Sequence, residues 1–264
     1  MSTATPDHLM PATVNFVADQ LGITHIPTYQ IQAGCSGALQ GLDVASQFLK
    51  SGSYRTALVI GGDVCNKYID LDRDFTKLKG HELINYALFG DGAGAVVLTA
   101  KDEKLGINIH SIKNRFEGLG REPGQVMNWF GMVPEKIDEM SMRDRRKIFQ
   151  SAKEDYKAIE QHVPKMAKAM INELLIDNNW NEDEVNFYLP PQLGGHMTDK
   201  IVEYLELPTG KVINCVRNTG NNGNALPYIQ LNHLAEKMNS GDKAVGVAIE
   251  SSKWIKTGIS LVKE

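Results

Sequence analysis

The sequence predicts an α/β protein, and three observations carry the prediction. Short β-prone runs alternate with longer helical patterns, the order that favours a sheet with parallel strands. The run Ala57 to Gly61 is apolar throughout, the pattern of a strand covered on both faces. The stretch Ile31-Gln32-Ala33-Gly34-Cys35-Ser36-Gly37-Ala38 reads as a strand, a tight turn and the start of a helix.

Along the chain, Pro11 to Leu21 reads as a helix opened by proline and closed before Gly22. Thr28 to Gln32 is β-prone and leads into Cys35. The helix that follows carries Leu39, Leu42, Val44, Ala45, Phe48 and Leu49 and ends near Ser51-Gly52-Ser53. Lys67 to Asn85 is polar and irregular. Ala93 to Thr99 and Ile107 to Ile112 read as strands. From Phe116 to Arg146 the pattern dissolves into charge, Met and Gly, as expected of an excursion between two halves. Glu154 to Leu175 is a long helical pattern with Ile159, Val163, Met166, Met170, Ile171 and Leu174 on one face, and Pro164 is expected to kink or split it. Strands are expected at Val185 to Leu189, Lys211 to Val216, Ala244 to Glu250 and Thr257 to Val262. Helices are expected at Thr198 to Leu205 and Leu226 to Met238.

Cys35 is the candidate nucleophile. A thiol at a helix N-terminus meets free backbone N–H groups and the positive dipole end, which favour the thiolate. The competing reading is a small buried cysteine beside glycine, and the run alone divides evenly between the two. A second segment, Ala87-Leu88-Phe89-Gly90-Asp91-Gly92-Ala93-Gly94-Ala95-Val96-Val97-Leu98, is a glycine-punctuated turn running into a buried strand. A strand, not a helix, follows its glycines, so a phosphate-binding loop is a weak reading.

Taken together, "AGCSGALQGLDVA", "TALVIGGDV" and "LFGDGAGAVVL", in that order and spacing, resemble the ketoacyl-acyl carrier protein synthase III group of the thiolase superfamily. The resemblance runs from near residue 3 to the C-terminus, specific in its first half and degraded in its second. It implies a thiolase-like fold of two half-domains in αβαβα layers, a dimer, and acyl-thioester chemistry on Cys35. On that basis residues 1–115 are the remainder of the first half, 116–150 the connecting excursion and 151–264 the second half. The front of the family's chain has no counterpart here. Apolar strand edges near Ala57 to Gly61 and Ala93 to Leu98 are therefore expected to lack partners, which invites association.

The family pairs its cysteine with a histidine, in a Pro-His-Gln motif, and an asparagine. Here that motif reads Pro190-Pro191-Gln192. Proline offers no side-chain donor and no titratable group, so decarboxylative condensation by the usual route is not expected. The strand Val185 to Leu189 offers no imidazole in its place. His196 falls where the family carries a basic residue for carrier docking, and that role is preferred to a catalytic one. The asparagine motif survives within Arg217-Asn218-Thr219-Gly220-Asn221-Asn222-Gly223-Asn224-Ala225-Leu226-Pro227. Asn221 is preferred over Asn218 for its distance to Leu226-Pro227. A simple turn is the competing reading, although four asparagines in seven residues exceed what one turn needs. The family's glycine-rich last loop is replaced by Glu250-Ser251-Ser252-Lys253-Trp254, from which a backbone N–H can still complete an oxyanion hole with Cys35. Met10 occupies the family's acyl-gate position, expected to reach a neighbouring subunit. Met10, His196 and Ser252 are the substrate-binding candidates.

Composition agrees with a globular chain: 264 residues, 42% hydrophobic and 23% charged. A net charge of −4 gives no general field for nucleic acid. Three cysteines, Cys35, Cys65 and Cys215, give no disulfide framework or metal-ligand spacing. No apolar run approaches the ~20 residues of a membrane helix, and the polar start is no signal peptide, so a cytoplasmic protein without membrane contact is expected. The basic run Arg143-Asp144-Arg145-Arg146-Lys147 reads as a solvated helix face in preference to a carrier or CoA docking point. The expected function is acyl transfer from acyl-CoA or acyl-carrier-protein thioesters through acyl-Cys35, in lipid or secondary-metabolite biosynthesis, with no cofactor and no metal. Transfer to an alcohol, amine or thiol is preferred to carbon–carbon bond formation. The alternative is a catalytically degraded subunit that binds and shapes an active partner. Expected partners are the thioester substrates and either a second copy or a chain supplying the missing region.

Overall fold

The computed structural model describes residues 1–68, 74–78, 80–100, 106–127, 139–143 and 152–264. Ten strands and seven α-helices are defined among the described residues. The first half contains β1 (Ser2–Thr3), α1 (Thr13–Gln20), β2 (Ile31–Gln32), α2 (Gly37–Lys50), β3 (Thr56–Asp63), α3 (Gly80–Leu88) and β4 (Gly92–Thr99). There follow β5 (Ile107–Phe116), β6 (Gln125–Met127), β7 (Ala152–Glu154), α4 (Tyr156–Asn178), β8 (Phe187–Leu189), α5 (Gly195–Tyr204), α6 (Val216–Thr219), α7 (Leu226–Lys237), β9 (Lys243–Glu250) and β10 (Ile255–Lys263).

Two four-stranded sheets stack face to face with helices between and outside them. The first has the order β2-β1-β3-β4, the second β5-β10-β9-β8, and β6 pairs with β7 alone. Both are mixed rather than parallel: β1 runs parallel to β2 and β3, β4 lies antiparallel on β3, and β10 lies antiparallel between β5 and β9. Strand β5, from the expected first half, thus belongs to the second sheet. Helix α2 lies between the sheets, its Ala38, Leu39 and Leu42 packed with Val59, Tyr228, Ala248 and Ile259. Helix α4 covers the outer face of the second sheet, where Val163, Met166, Met170 and Leu174 meet Val245, Val247 and Trp254. The layers described are therefore α, β, α, β, in the thiolase-like order.

Helix α4 shows how local sequence sets an element. Asp155 caps it by accepting from Ala158 N at 3.0 Å, and Asn179 closes it in the left-handed region at φ 54°. Pro164 is buried within the helix, which continues through it. Three expectations are corrected. Lys67 to Asn85 takes in the end of one 3₁₀ turn (Cys65–Tyr68), a second (Phe75–Lys77) and the start of helix α3. Lys211 to Val216 is no strand: it holds a 3₁₀ turn, one bridge from Val212 to Tyr188, and the start of α6. Ala57 to Gly61 is covered on one face only, because Val59 is 4% exposed while Leu58 is 45% exposed. β3 and β4 pair with each other along their full length, and the outer edge of β4 has no strand beside it among the described residues. The edge of β3 away from β4 meets β1 only at Ser2 and Gly61. Beside it, between α1, α2 and β3, an apolar groove of about 320 Å³ is lined by Val17, Ile26, Tyr29, Val44, Phe48 and Leu58. Residues 144–147 of the basic run lie outside the described residues.

Candidate active site

Cys35 sits in the turn between β2 and α2, one residue ahead of the helix N-cap Ser36. It lines a small cavity of about 20 Å³ with Pro191, Gln192, Asn221, Leu226 and Pro227. That is room for about one water. The cavity wall therefore brings together three segments that are far apart in sequence: the nucleophile turn, the end of β8 and the asparagine loop.

The asparagine loop is held by the first half of the molecule. Asn221 is 4% exposed and its Oδ1 accepts from Gly223 N at 3.1 Å. Its backbone forms a bridge to Phe89, with Gly90 N donating to Asn221 O at 3.1 Å and Asn221 N donating to Leu88 O at 2.9 Å. Asn222 donates to Asp91 O and Thr219 O, at 3.0 and 2.9 Å. The glycines of the second motif now have a physical role. A Cβ at Gly92 would lie 2.9 Å from Asn222 Cβ, so the turn Gly90 to Gly92 is the seat of the asparagine loop.

Asn224 is the joint. It is fully buried and donates from its backbone and side chain to Asp63 Oδ2, at 2.7 and 2.9 Å, and from Nδ2 to Ala33 O at 2.8 Å. The other oxygen of Asp63 accepts from Thr3 Oγ1, Ala4 N and Thr5 Oγ1. One buried carboxylate thus ties the N-terminal strand, the end of β3 and the asparagine loop together.

Gln192 fixes the remaining wall. Its Oε1 accepts from Cys215 N and Val216 N at 2.9 and 2.8 Å, and its Nε2 donates to Ile213 O at 2.6 Å. These bonds satisfy the free N–H groups at the start of α6.

The electrostatics of Cys35 correct the expected lowering of its pKa. Burial, and then the negative charges of Glu250 and Asp63, push the thiol up to about 12. The thiol precedes the helix N-cap, and a backbone hydrogen bond is the one opposing effect, smaller than these three. Burial likewise pushes Cys65 up to about 12 and Cys215 to about 11.

The other candidates are placed as follows. Asn218 is exposed on α6 and does not line the cavity. His196 is exposed on the first turn of α5. Met10 is 86% exposed and lies outside the cavity. Ser252 is half-buried and donates to Glu250 Oε1 at 2.5 Å. Its turn is closed by Trp254 at φ 63°, a conformation that glycine adopts freely, with the indole N–H on Glu122 O at 2.7 Å. Asp63, Asn224, Gln192 and the carboxylate of Glu250 were missed as site residues in the sequence. Only the excess of asparagines signalled any of them.

Among the described residues no helix is long and apolar enough to cross a membrane. Residues 29–115 match the family model of 3-oxoacyl-[acyl-carrier-protein] synthase III, and residues 175–251 match the model of its C-terminal part. The β-ketoacyl-[acyl-carrier-protein] synthase III of Azobacteroides pseudotrichonymphae is 27% identical over 248 residues, covering 94% of this chain and 69% of the relative. That of Rickettsia bellii is 30% identical over 222 residues, covering 83% and 62%. Among solved structures, AbyA1, described as a tetronic acid condensing enzyme, superposes with a TM-score of 0.90 at 47% identity, covering 99% of this chain and 74% of that one. 3-Oxoacyl-(acyl carrier protein) synthase III from Pseudomonas aeruginosa shares the fold, with a TM-score of 0.79 at 22% identity over 99% of this chain and 74% of that one.

Proposed function

Because the chain belongs to the 3-oxoacyl-[acyl-carrier-protein] synthase III family of condensing enzymes, we propose that it is an acyltransferase that loads an acyl group onto Cys35 and passes it to an acceptor needing no decarboxylation. The observation that carries this reading is the cavity that Cys35, Asn221 and Pro191 line together. Decarboxylation of a malonyl thioester builds charge on an enolate oxygen, which needs preorganised donors. Asn221 can offer an amide N–H; Pro191 can offer nothing. A carbon already flanked by two carbonyls, or an alcohol, loses a proton without that step.

The relative at 47% identity supports a product class. A tetronic acid is a five-membered lactone built around a 1,3-dicarbonyl. An α-hydroxyacyl group on Cys35 would be attacked at its carbonyl by the central carbon of a β-ketoacyl thioester. The carbon–sulfur bond to Cys35 breaks, and the proton lost by that carbon returns to the thiol. The freed hydroxyl then attacks the acceptor's own thioester, closing the ring and releasing the second thiol. One carbon–carbon and one carbon–oxygen bond form, and no carbon dioxide leaves. The donors are acyl-CoA or acyl-carrier-protein thioesters in biosynthesis, and no cofactor enters.

Intact-mass spectrometry after incubation with a panel of acyl thioesters tests the reading. An adduct of acyl mass, lost in Cys35→Ala, is expected; no adduct with any donor would refute it. The apolar groove beside β3 favours a second reading, a subunit that shapes an active partner and is never acylated. The same measurement separates the two. The groove beside β3 supports a further polypeptide segment as its cover, in a dimer or a hetero-oligomer. Native mass spectrometry of the assembled protein tests that part.

A further inference from the structure

We propose that Glu250 is the positioning residue of Cys35: its carboxylate clamps both neighbours of the nucleophile and ties them to the turn between β9 and β10. This rests on the reading of Cys35 as the acylated residue. Glu250 ends β9 and is 7% exposed. Its Oε2 accepts from Gly34 N at 3.1 Å and from Ser36 Oγ at 2.7 Å, the residues on either side of Cys35. Its Oε1 accepts from Ser252 Oγ at 2.5 Å. The approach is close: a Cβ at Gly34 would lie 3.3 Å from the carboxyl carbon.

Ser36 shows that this contact has displaced a local preference. A serine at a helix N-cap normally accepts from the first-turn N–H groups. Here its side chain makes no capping bond. Its hydroxyl accepts from Gln40 Nε2 at 2.6 Å and gives its own proton to Glu250. The relay Gln40 to Ser36 to Glu250 fixes the direction of each bond. The carboxylate thereby takes three hydrogens, two of them from the residues that flank Cys35.

The clamp leaves a fixed charge beside the thiol. The charged and titratable groups facing Cys35 are Glu250 on β9, Asp63 on β3, Glu154 on β7 and Cys65 after β3. Three of them are acids, and Glu250 acts most strongly of the three.

The test reads iodoacetamide alkylation of each cysteine by peptide mass spectrometry between pH 7 and 11, which requires no acyl transfer. Glu250→Gln keeps an accepting oxygen and removes the charge. Its Cys35 should alkylate ~10-fold faster at pH 8, the effect of about one pKa unit, while Cys215 keeps its rate. Acyl loading, where it occurs, should lose kcat with little change in KM. An unchanged Cys35 profile in a Glu250→Gln protein of wild-type melting temperature overturns the proposal. Should that variant not fold, Glu250→Asp draws the carboxylate back from Gly34 and Ser36, and the Cys35 rate must then change at least threefold relative to Cys65 (a factor chosen as about half a pKa unit). Equal rates overturn it. A protein that never forms an acyl adduct but shows the expected alkylation shift would refute the proposed function and leave the clamp standing.

Discussion

Replacing Asp63 with alanine removes the acceptor for five donors at once: Thr3 Oγ1, Ala4 N, Thr5 Oγ1, Asn224 N and Asn224 Nδ2. The carboxylate is 3% exposed, so water does not readily take its place. Hydrogen bonds to a charged group are worth about 1.5–3 kcal/mol each. Summed naively, five of them would match the whole stability of an ordinary domain, about 5–15 kcal/mol. The sum overshoots because the charge gains back its hydration when the chain unfolds and the freed donors partly repair themselves. The cost of breaking a buried charged network, about 3–5 kcal/mol, is the better guide. We expect Asp63→Ala to lose that much in urea unfolding followed by the fluorescence of Trp254, itself 2% exposed. Asn224→Ala should cost about 1–3 kcal/mol from the donors and acceptors it orphans. The double variant should cost far less than the sum of the two, because each single change disrupts the same joint. A loss below about 1 kcal/mol in Asp63→Ala with an unchanged denaturant slope would refute the reasoning, as would simple additivity.

Alkylation of all three cysteines should be slow at neutral pH and rise only at strongly alkaline pH, since burial pushes Cys35 and Cys65 to about 12 and Cys215 to about 11; fast labelling of Cys35 at pH 7 would contradict this. Because these thiols are raised in the folded state, the folded chain holds their protons longer, so their stability contribution is full below about pH 9 and falls as pH rises toward 12. Urea midpoints between pH 8 and 11 should show that fall, and it should flatten in Cys35→Ala. Malonyl-CoA decarboxylation should be very slow, and His196→Ala should leave it so; a family-like rate would show that another group stabilises the enolate. Gly61→Ala should destabilise by several kcal/mol in the same unfolding assay, because its Cβ would lie 2.1 Å from the backbone oxygen of Asn224. Met10→Trp should shorten the accepted acyl chain in the assembled enzyme; an unchanged chain-length profile would remove Met10 from the pocket.

The layered α/β fold was legible because it is written in local signals. Glycine and small residues around Cys35, followed by an apolar face of helical period, specify a turn into a helix wherever the rest of the chain lies. What was not legible is contact between distant segments. Glu250 reaches the nucleophile turn across 216 residues, and no spacing rule connects them. Lys211 to Val216 reads as a strand by its apolar alternation. Gln192, about twenty positions earlier, draws the N–H groups of Cys215 and Val216 into the start of a helix instead. The asparagines illustrate both sides. Their excess was visible, but only the fold divides the work: Asn221 lines the cavity, Asn222 seats the loop on the Gly90 turn, and Asn224 carries the joint to Asp63.

The raised thiol and the lost imidazole bear on the same step of the proposed reaction. Burial and the neighbouring acids raise the Cys35 thiol, which works against a standing thiolate at neutral pH. In the proposed loading step the proton would leave with the donor's departing thiol. The same property then works in the opposite sense. A thiol of high pKa is a slow leaving group. An acyl group on Cys35 would resist water and persist until a carbon acid or hydroxyl is seated against it. In a two-substrate condensation, where the second thioester arrives after the first has been transferred, that persistence is an advantage. An enzyme that generates its carbanion by decarboxylation fires at once and has less need of it. Pro191 across the cavity and the acids around Cys35 thus favour the same chemistry, a long-lived acyl-enzyme awaiting an acceptor that brings its own acidity.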